Sequence, residues 1–291
     1  MKPNKNPYWT FQKSSHSTQI EYHYYVLFST KLDKDFQALL QSYPNLGFHQ
    51  RSSHCIHLCS DLMLTIEGDK EKELSPAPEC IPEKPLLASF DMDSTLISAE
   101  VIDELAREAD CFNEVAAITA AAMRGELDFD KSLIKRVACL KGLSIKHLDN
   151  VYQRITLSPG ADSLLNSLHQ WQTYSVILSG GFDYFAQRIK DLLKMNAYQA
   201  NQLEIENDHL TGCVTGTIIN ANQKALLFEQ LITKLHIKKN QTIAVGDGAN
   251  DLQVLQAAGL GIAWHAKPTL CKKADISIQH LGLDAISWLW D

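Results

Sequence analysis

No stretch of this sequence approaches the ~18 consecutive apolar residues that a bilayer-spanning helix needs. There is also no surplus of positive charge. Lys and Arg number 27 against 34 Asp and Glu, a formal net charge of -7. That excludes the broadly basic surface expected of a nucleic-acid binder, though not a local cluster of cations around an anionic ligand. A paired cysteine framework is missing as well: the seven cysteines are odd in number and scattered in spacing. The opening run "MKPNKNPYWTFQKSSHST" is polar where a secretory leader would be apolar. The expectation is a cytoplasmic chain with reduced thiols, bound to neither nucleic acid nor membrane. "HCIHLC" (54–59) fits no zinc-finger spacing and has no second ligand pair, so an ordinary strand explains it.

What is present is a chain of 291 residues, 45% of them hydrophobic, long enough for two domains or one with an insertion. Residues 1 to about 20 read as loose. "YHYYVLFST" reads as a strand, "KLDKDFQALLQSYPN" as a helix with Phe36, Leu39 and Leu40 on one stripe, and "SSHCIHLCSDLMLTIEG" as one or two strands. The charged stretch "DKEKELSPAPECIPEKP" carries four prolines and suits neither a helix interior nor a central strand. The boundary is placed there, giving an N-terminal α/β unit over 1–80 and a second domain over 85–291.

Beyond the boundary, strands and helices alternate: "LLASFDMD", "TYSVILSGG", "QTIAVGDG", "LGIAWHA" and "ADISIQ" are strands, with helices between them and a hairpin turning at Asn207-Asp208. This order predicts an α/β fold, a doubly wound and mainly parallel sheet with right-handed crossovers. The block from about 97 to 168 is almost wholly helical and too long for one crossover, so it reads as an inserted cap.

Three predicted strand ends carry polar clusters: "FDMDST" (90–95), "ILSGGF" (177–182) and "VGDGAND" (245–251). Ligands of open parallel sheets bind outside the carboxyl ends of strands, so the three should meet in one crevice. Asp91 and Asp93, two apart on an extended segment, share a side. Two close carboxylates repel unless a cation or proton intervenes. With Asp247 they form an all-oxygen set suited to Mg²⁺, and one of them could act as a nucleophile. Ser179, Gly180 and Gly181 offer a hydroxyl and close backbone approach for a phosphate, and Lys224 a counter-charge. Asn250 and Asp251 fall at the next helix start.

Taken together and in this order, "DMDST", a helical insert, "LSGGF", a lysine before a helix and "VGDGAND" resemble the haloacid dehalogenase superfamily over about 85–285. "FDMDSTLISAEVIDELA", "AAMRGELDFDKSLIKRVACLKG" and "VGDGANDLQVLQAAGLGIAWHAKP" are similar to its phosphoserine phosphatase branch. The resemblance implies hydrolysis of O-phosphoserine through an aspartyl-phosphate, as the last step of serine synthesis. Asp91 would be the nucleophile and Asp93 the proton carrier. Mg²⁺ would be held by Asp91, the main-chain carbonyl of Asp93 and Asp247. Thr95 and Asp251 would back these ligands, with Asp251 orienting a metal-bound water. Ser179, Gly180, Lys224 and Asn250 would hold the phosphate, while Glu100 and Arg124 from the cap would read the ammonium and carboxylate of the amino acid. Relatives of this branch often carry a small ACT-like domain at the N-terminal position; that fold needs βαββαβ, and the strands and helix read here make it incomplete. A related phosphatase or phosphotransferase acting on another small phosphorylated amino acid or alcohol would share every core residue and differ in the cap. An inert binding protein on the same fold is the reading from another class, which the intact acids and lysine oppose. A homodimer is the assembly carried forward for testing.

Overall fold

The computed structural model describes residues 9–12, 23–30, 46–60, 63–66 and 72–290. The helix expected over 31–45 lies outside them.

The N-terminal part is two antiparallel sheets. Strands β1 (Trp9–Gln12), β2 (His23–Ser29), β3 (Leu46–Gln50), β4 (Cys55–Ser60), β5 (Met63–Ile66) and β6 (Lys72–Pro76) divide between them. β1 pairs with β5, and the larger sheet runs β3-β4-β2-β6. β2 and β3 thus run the same way with β4 antiparallel between them, and β4 and β6 do so around β2. Two expectations are corrected. Residues 9–12 form a strand rather than loose chain, and 72–76, read as linker, form β6. β6 is an edge strand, where Pro76 withholds a donor from no further neighbour.

The second sheet has seven strands, β7 (Leu87–Phe90), β8 (Tyr174–Phe182), β9 (Ala197–Glu206), β10 (His209–Thr215), β11 (Thr242–Gly246), β12 (Leu260–Trp264) and β13 (Ile276–Ile278), in the order β10-β9-β8-β7-β11-β12-β13. All neighbours are parallel except the β9–β10 hairpin. β7, β11 and β12 are buried at every position, because helices cover both faces.

Helices α1 (Val101–Glu108), α2 (Phe112–Met123), α3 (Phe129–Ala138) and α4 (Ile145–Arg154) form the insertion after β7. The chain leaves and returns side by side: the Ser98 amide donates to the Thr156 carbonyl at 3.0 Å and the Ser158 amide to that of Leu96 at 2.9 Å. The next helix, α5 (Ala161–Gln170), packs on β8 and on the C-terminal turn Leu283–Leu289. The insertion therefore closes near 157, and α5, placed in the cap by the sequence, is a crossover helix of the core. The hairpin props the cap: the Gly142 amide donates to the Leu210 carbonyl, and the Leu210 amide returns a bond to Leu143, both at 2.8 Å. The remaining helices are α6 (Asp183–Leu192), α7 (Ala221–Lys234), α8 (Leu252–Ala257) and the short α9 (Pro268–Cys271).

The two sheets are joined along β6. The Ser277 amide donates to Ser75 Oγ at 2.7 Å, and the Glu73 carboxylate accepts from the amides of Gln279 and, at 3.1 Å, His280. No helix among the described residues is long and apolar enough to cross a membrane.

Candidate active site

A pocket of about 450 Å³ opens between the cap and the carboxyl ends of β7, β8 and β11. Its floor includes Asp91, Asp93, Ser179, Gly180, Asp247 and Asn250. The three polar clusters do converge, because the register aligns the ends of their strands.

Asp91 stands one residue past β7 and is buried. Its amide still pairs with the Val245 carbonyl at 3.0 Å, which extends the ladder and fixes the backbone. Its Oδ2 accepts from Lys224 Nζ at 2.8 Å and from Asn250 Nδ2 at 3.0 Å. Lys224 sits in the second turn of α7, wholly buried, and its Nζ also reaches Asp251 Oδ1 at 2.7 Å. Burial alone would lower the Lys224 pKa; the Asp251 and Asp91 carboxylates outweigh it and raise the pKa. Unpaired, a lysine is almost never buried like this.

Asp93 lies in a different environment. Its Oδ1 accepts from the Val101 amide at 3.0 Å, at the start of α1. Burial, and next the Glu100 charge, push its pKa well above the ordinary carboxylate value, and Asp91 adds to this. The chain turns there through Ser94, whose φ is 55° and whose Oγ donates to Glu100 Oε1 at 2.7 Å. Gly181 must be glycine for this packing: a Cβ there would stand 2.3 Å from Asp93 Oδ2.

Asp91, Asp247 and Asp251 each offer a carboxylate oxygen, all within 4.8 Å of one another. Burial, then the Asp91 charge, lifts both Asp247 and Asp251 to about 7. An all-oxygen set in which the Asp91 charge raises the other two fits a hard divalent cation. Thr95 Oγ1 donates to Asp247 Oδ1 at 3.3 Å. Gly246 gives Asp251 its room, since a Cβ there would meet Asp251 Cγ at 2.4 Å. Asp251, expected behind the ligands, thus comes within ligand reach while also holding Lys224.

The remaining predicted residues divide. Ser179 is fully buried and its Oγ accepts from the Gly181 amide at 2.9 Å. Glu100 lines the pocket from the N-cap of α1. Arg124 does not line it. It is the C-cap of α2, exposed, and its guanidinium is paired with Glu126 through Nε at 2.6 Å and Nη2 at 3.1 Å. The guanidinium in the pocket wall is that of Arg136 on α3. Burial lowers its pKa, with Glu100, Asp103 and Asp93 opposing. Arg124, expected to read a substrate carboxylate, therefore stands outside the pocket lining, and Arg136 stands within it. The signal was in the spacing: Phe129, Ser132, Leu133 and Arg136 form one stripe of a helix, and all four line the pocket.

The sequence reading also missed Asn201. It is buried on β9, donates to the Gly180 carbonyl at 2.8 Å and accepts from the Ile219 amide at 2.8 Å. It ties the glycine loop to the segment that leads into α7 and Lys224.

The profile of the haloacid dehalogenase-like hydrolases matches residues 87–259, and the chain belongs to that family. Among its members, the chain is 47% identical over 201 residues to the phosphoserine phosphatase of Archaeoglobus fulgidus, covering 69% of this chain and 58% of that one. It is also 47% identical over 197 residues to the phosphoserine phosphatase of Idiomarina loihiensis, covering 68% and 90% respectively. The match thus spans less than two thirds of the Archaeoglobus relative's length and most of the Idiomarina one's. A solved hydrolase of the family from Salmonella enterica serovar Typhi superposes with a TM-score of 0.79 at 32% identity, covering 93% of this chain and 98% of that one.

Proposed function

We propose that this chain is a cytoplasmic, Mg²⁺-dependent phosphoserine phosphatase that hydrolyses O-phospho-L-serine to serine and phosphate. The observation that carries the reading is the contrast between the two acids at the end of β7. Asp91 is gripped by a buried ammonium and an amide, while Asp93, with no ion pair among the described residues, has its pKa driven upward. Two carboxyl groups in such different settings suit a nucleophile and a proton donor.

Asp91 attacks phosphorus, and the bond from phosphorus to the serine oxygen breaks as Asp93 hands that oxygen its proton. Asp93, now ionised, takes a proton from the water that attacks the aspartyl-phosphate; phosphate leaves and Asp91 is regenerated. Ser179, the Gly180 backbone, Asn250 and Lys224 surround the phosphate position. Asp91, Asp247 and the main-chain carbonyl of Asp93 would hold Mg²⁺, with Thr95 and Asp251 supporting them, and the bound ion would offset the repulsion between Asp91 and an anionic phosphate. In the cap, Glu100 pairs the substrate ammonium and Arg136 forks onto its carboxylate. The two units are read as meeting between residues 80 and 85, with the N-terminal one an incomplete ACT-like domain whose strand order is β3-β4-β2-β6.

The test is phosphate release from L-phosphoserine, D-phosphoserine, phosphothreonine and p-nitrophenyl phosphate, with Mg²⁺ and with EDTA. The expected result is a strong preference for L-phosphoserine that EDTA abolishes. Metal-dependent turnover with another ester preferred would move the substrate and leave the chemistry in place.

A further inference from the structure

We propose that Lys267 is a steering and phosphate-binding residue, a second counter-charge at the mouth of the pocket that draws in the anionic substrate. The inference rests on the phosphatase reading and adds a residue to it.

The pocket is an acidic place for an anion to enter. Its walls carry Asp91, Asp93, Glu100, Asp103 and Asp247. Lys224 lies beneath them, wholly buried and already bound to Asp91 and Asp251. It balances the floor but projects little field outward. Arg136 lies across the pocket on α3, the side suited to the substrate carboxylate. Lys267 is placed differently. It lies in the connection between β12 and α9, and its amide donates to the Asp247 carbonyl at 3.2 Å, which pins it to the floor side where phosphate is handled. It lines the pocket, is exposed, and has no ion pair or side-chain hydrogen bond among the described residues.

An ammonium that is unpaired in its own protein is available to an arriving dianion. At the rim of a cleft, such a charge acts on approach as well as on contact, so its effect should fall on capture of the anion and weaken with ionic strength. A solvated surface lysine outside the pocket would leave phosphate binding unchanged.

The experiment uses the full chain loaded with Mg²⁺ and compares wild type with Lys267→Gln and Lys267→Arg. Binding of inorganic phosphate is measured by calorimetry from low salt to about 0.5 M, where screening acts within about 4 Å. In parallel, kcat/KM for p-nitrophenyl phosphate is followed over the same range. The expected result is phosphate binding weakened about three- to tenfold in Lys267→Gln at low salt. That deficit should shrink as salt rises, appear equally in kcat/KM, and be largely restored in Lys267→Arg. A Lys267→Gln protein that binds phosphate like wild type, or whose deficit is the same at every salt concentration, overturns the inference alone. A wild type that neither binds phosphate nor cleaves the ester overturns the phosphatase reading, and this inference with it.

Discussion

Asp91, Asp93 and Arg136 are the three side chains on which the account depends. The first two were legible as a D-x-D pair at a strand end, because pairing of β7 with β11 leaves little freedom in where they emerge. The arginine was not. Arg124 and Arg136 lie 12 positions apart in one helical block, and composition alone does not choose between them. Geometry does: the exposed C-cap guanidinium closes on Glu126 two residues away, and the one on the pocket stripe of α3 lines the pocket together with Glu100 and Asp103. Arg136→Ala should lower kcat/KM for phosphoserine by about 10²-fold or more, the loss of a charge-assisted fork in a shielded site, and p-nitrophenyl phosphate turnover far less. Arg124→Ala should leave both within about twofold, since it removes an exposed ion pair. Steady-state kinetics on the two esters checks this, and the opposite ranking would return the assignment to Arg124.

At the scale of elements, the parallel strands were easy to read because burial on both faces makes them short, continuous apolar runs. Two elements were misread for reasons that are physical. α5 is helical like the cap before it; the Ser158-Pro159-Gly160 break ahead of it marks the end of the insertion, and its packing against β8 and the C-terminal turn assigns it to the core. β6 is marked by prolines on its C-terminal side, which disfavour a central strand and leave an edge strand possible. β6 also covers the far edge of the catalytic sheet with side chains rather than with a regular ladder. The Glu73 carboxylate, nearly out of solvent, serves two main-chain amides just past β13. Glu73→Ala would leave those amides unpaired, so unfolding free energy should fall by about 1–3 kcal/mol. Urea titration measures it. A change below about 0.5 kcal/mol would mean that β6 does not hold the edge.

For the whole molecule, the concentration of buried acid beneath the cap makes stability depend on pH and on metal. Asp247 has its pKa raised to about 7, mainly by burial and then by Asp91, whereas the unfolded chain would titrate near 4. Between these values the folded state binds the proton more tightly. Its contribution is therefore favourable below about pH 4 and is lost as pH rises towards 7. The metal-free protein should pay this electrostatic penalty in full above pH 7, and Mg²⁺ should relieve it there. Metal-free Asp247→Asn removes the ionisation and should gain in Tm on wild type as pH goes from 5 to 8, while the rise in Tm on adding Mg²⁺ to wild type should grow over the same window. Thermal melts across pH, with and without metal, give both trends; a difference between the two proteins that stays flat with pH would remove Asp247 as the source.

The central claim is that Asp91 takes the phosphoryl group from phosphoserine before water does. The most direct test is a rapid acid quench of the Mg²⁺-loaded enzyme turning over phosphoserine labelled at phosphorus, followed by peptide mapping. The account predicts label on the peptide containing Asp91, in base-labile acyl-phosphate linkage, and none in Asp91→Asn. Label on another residue, or undiminished phosphate release by Asp91→Asn, would contradict it.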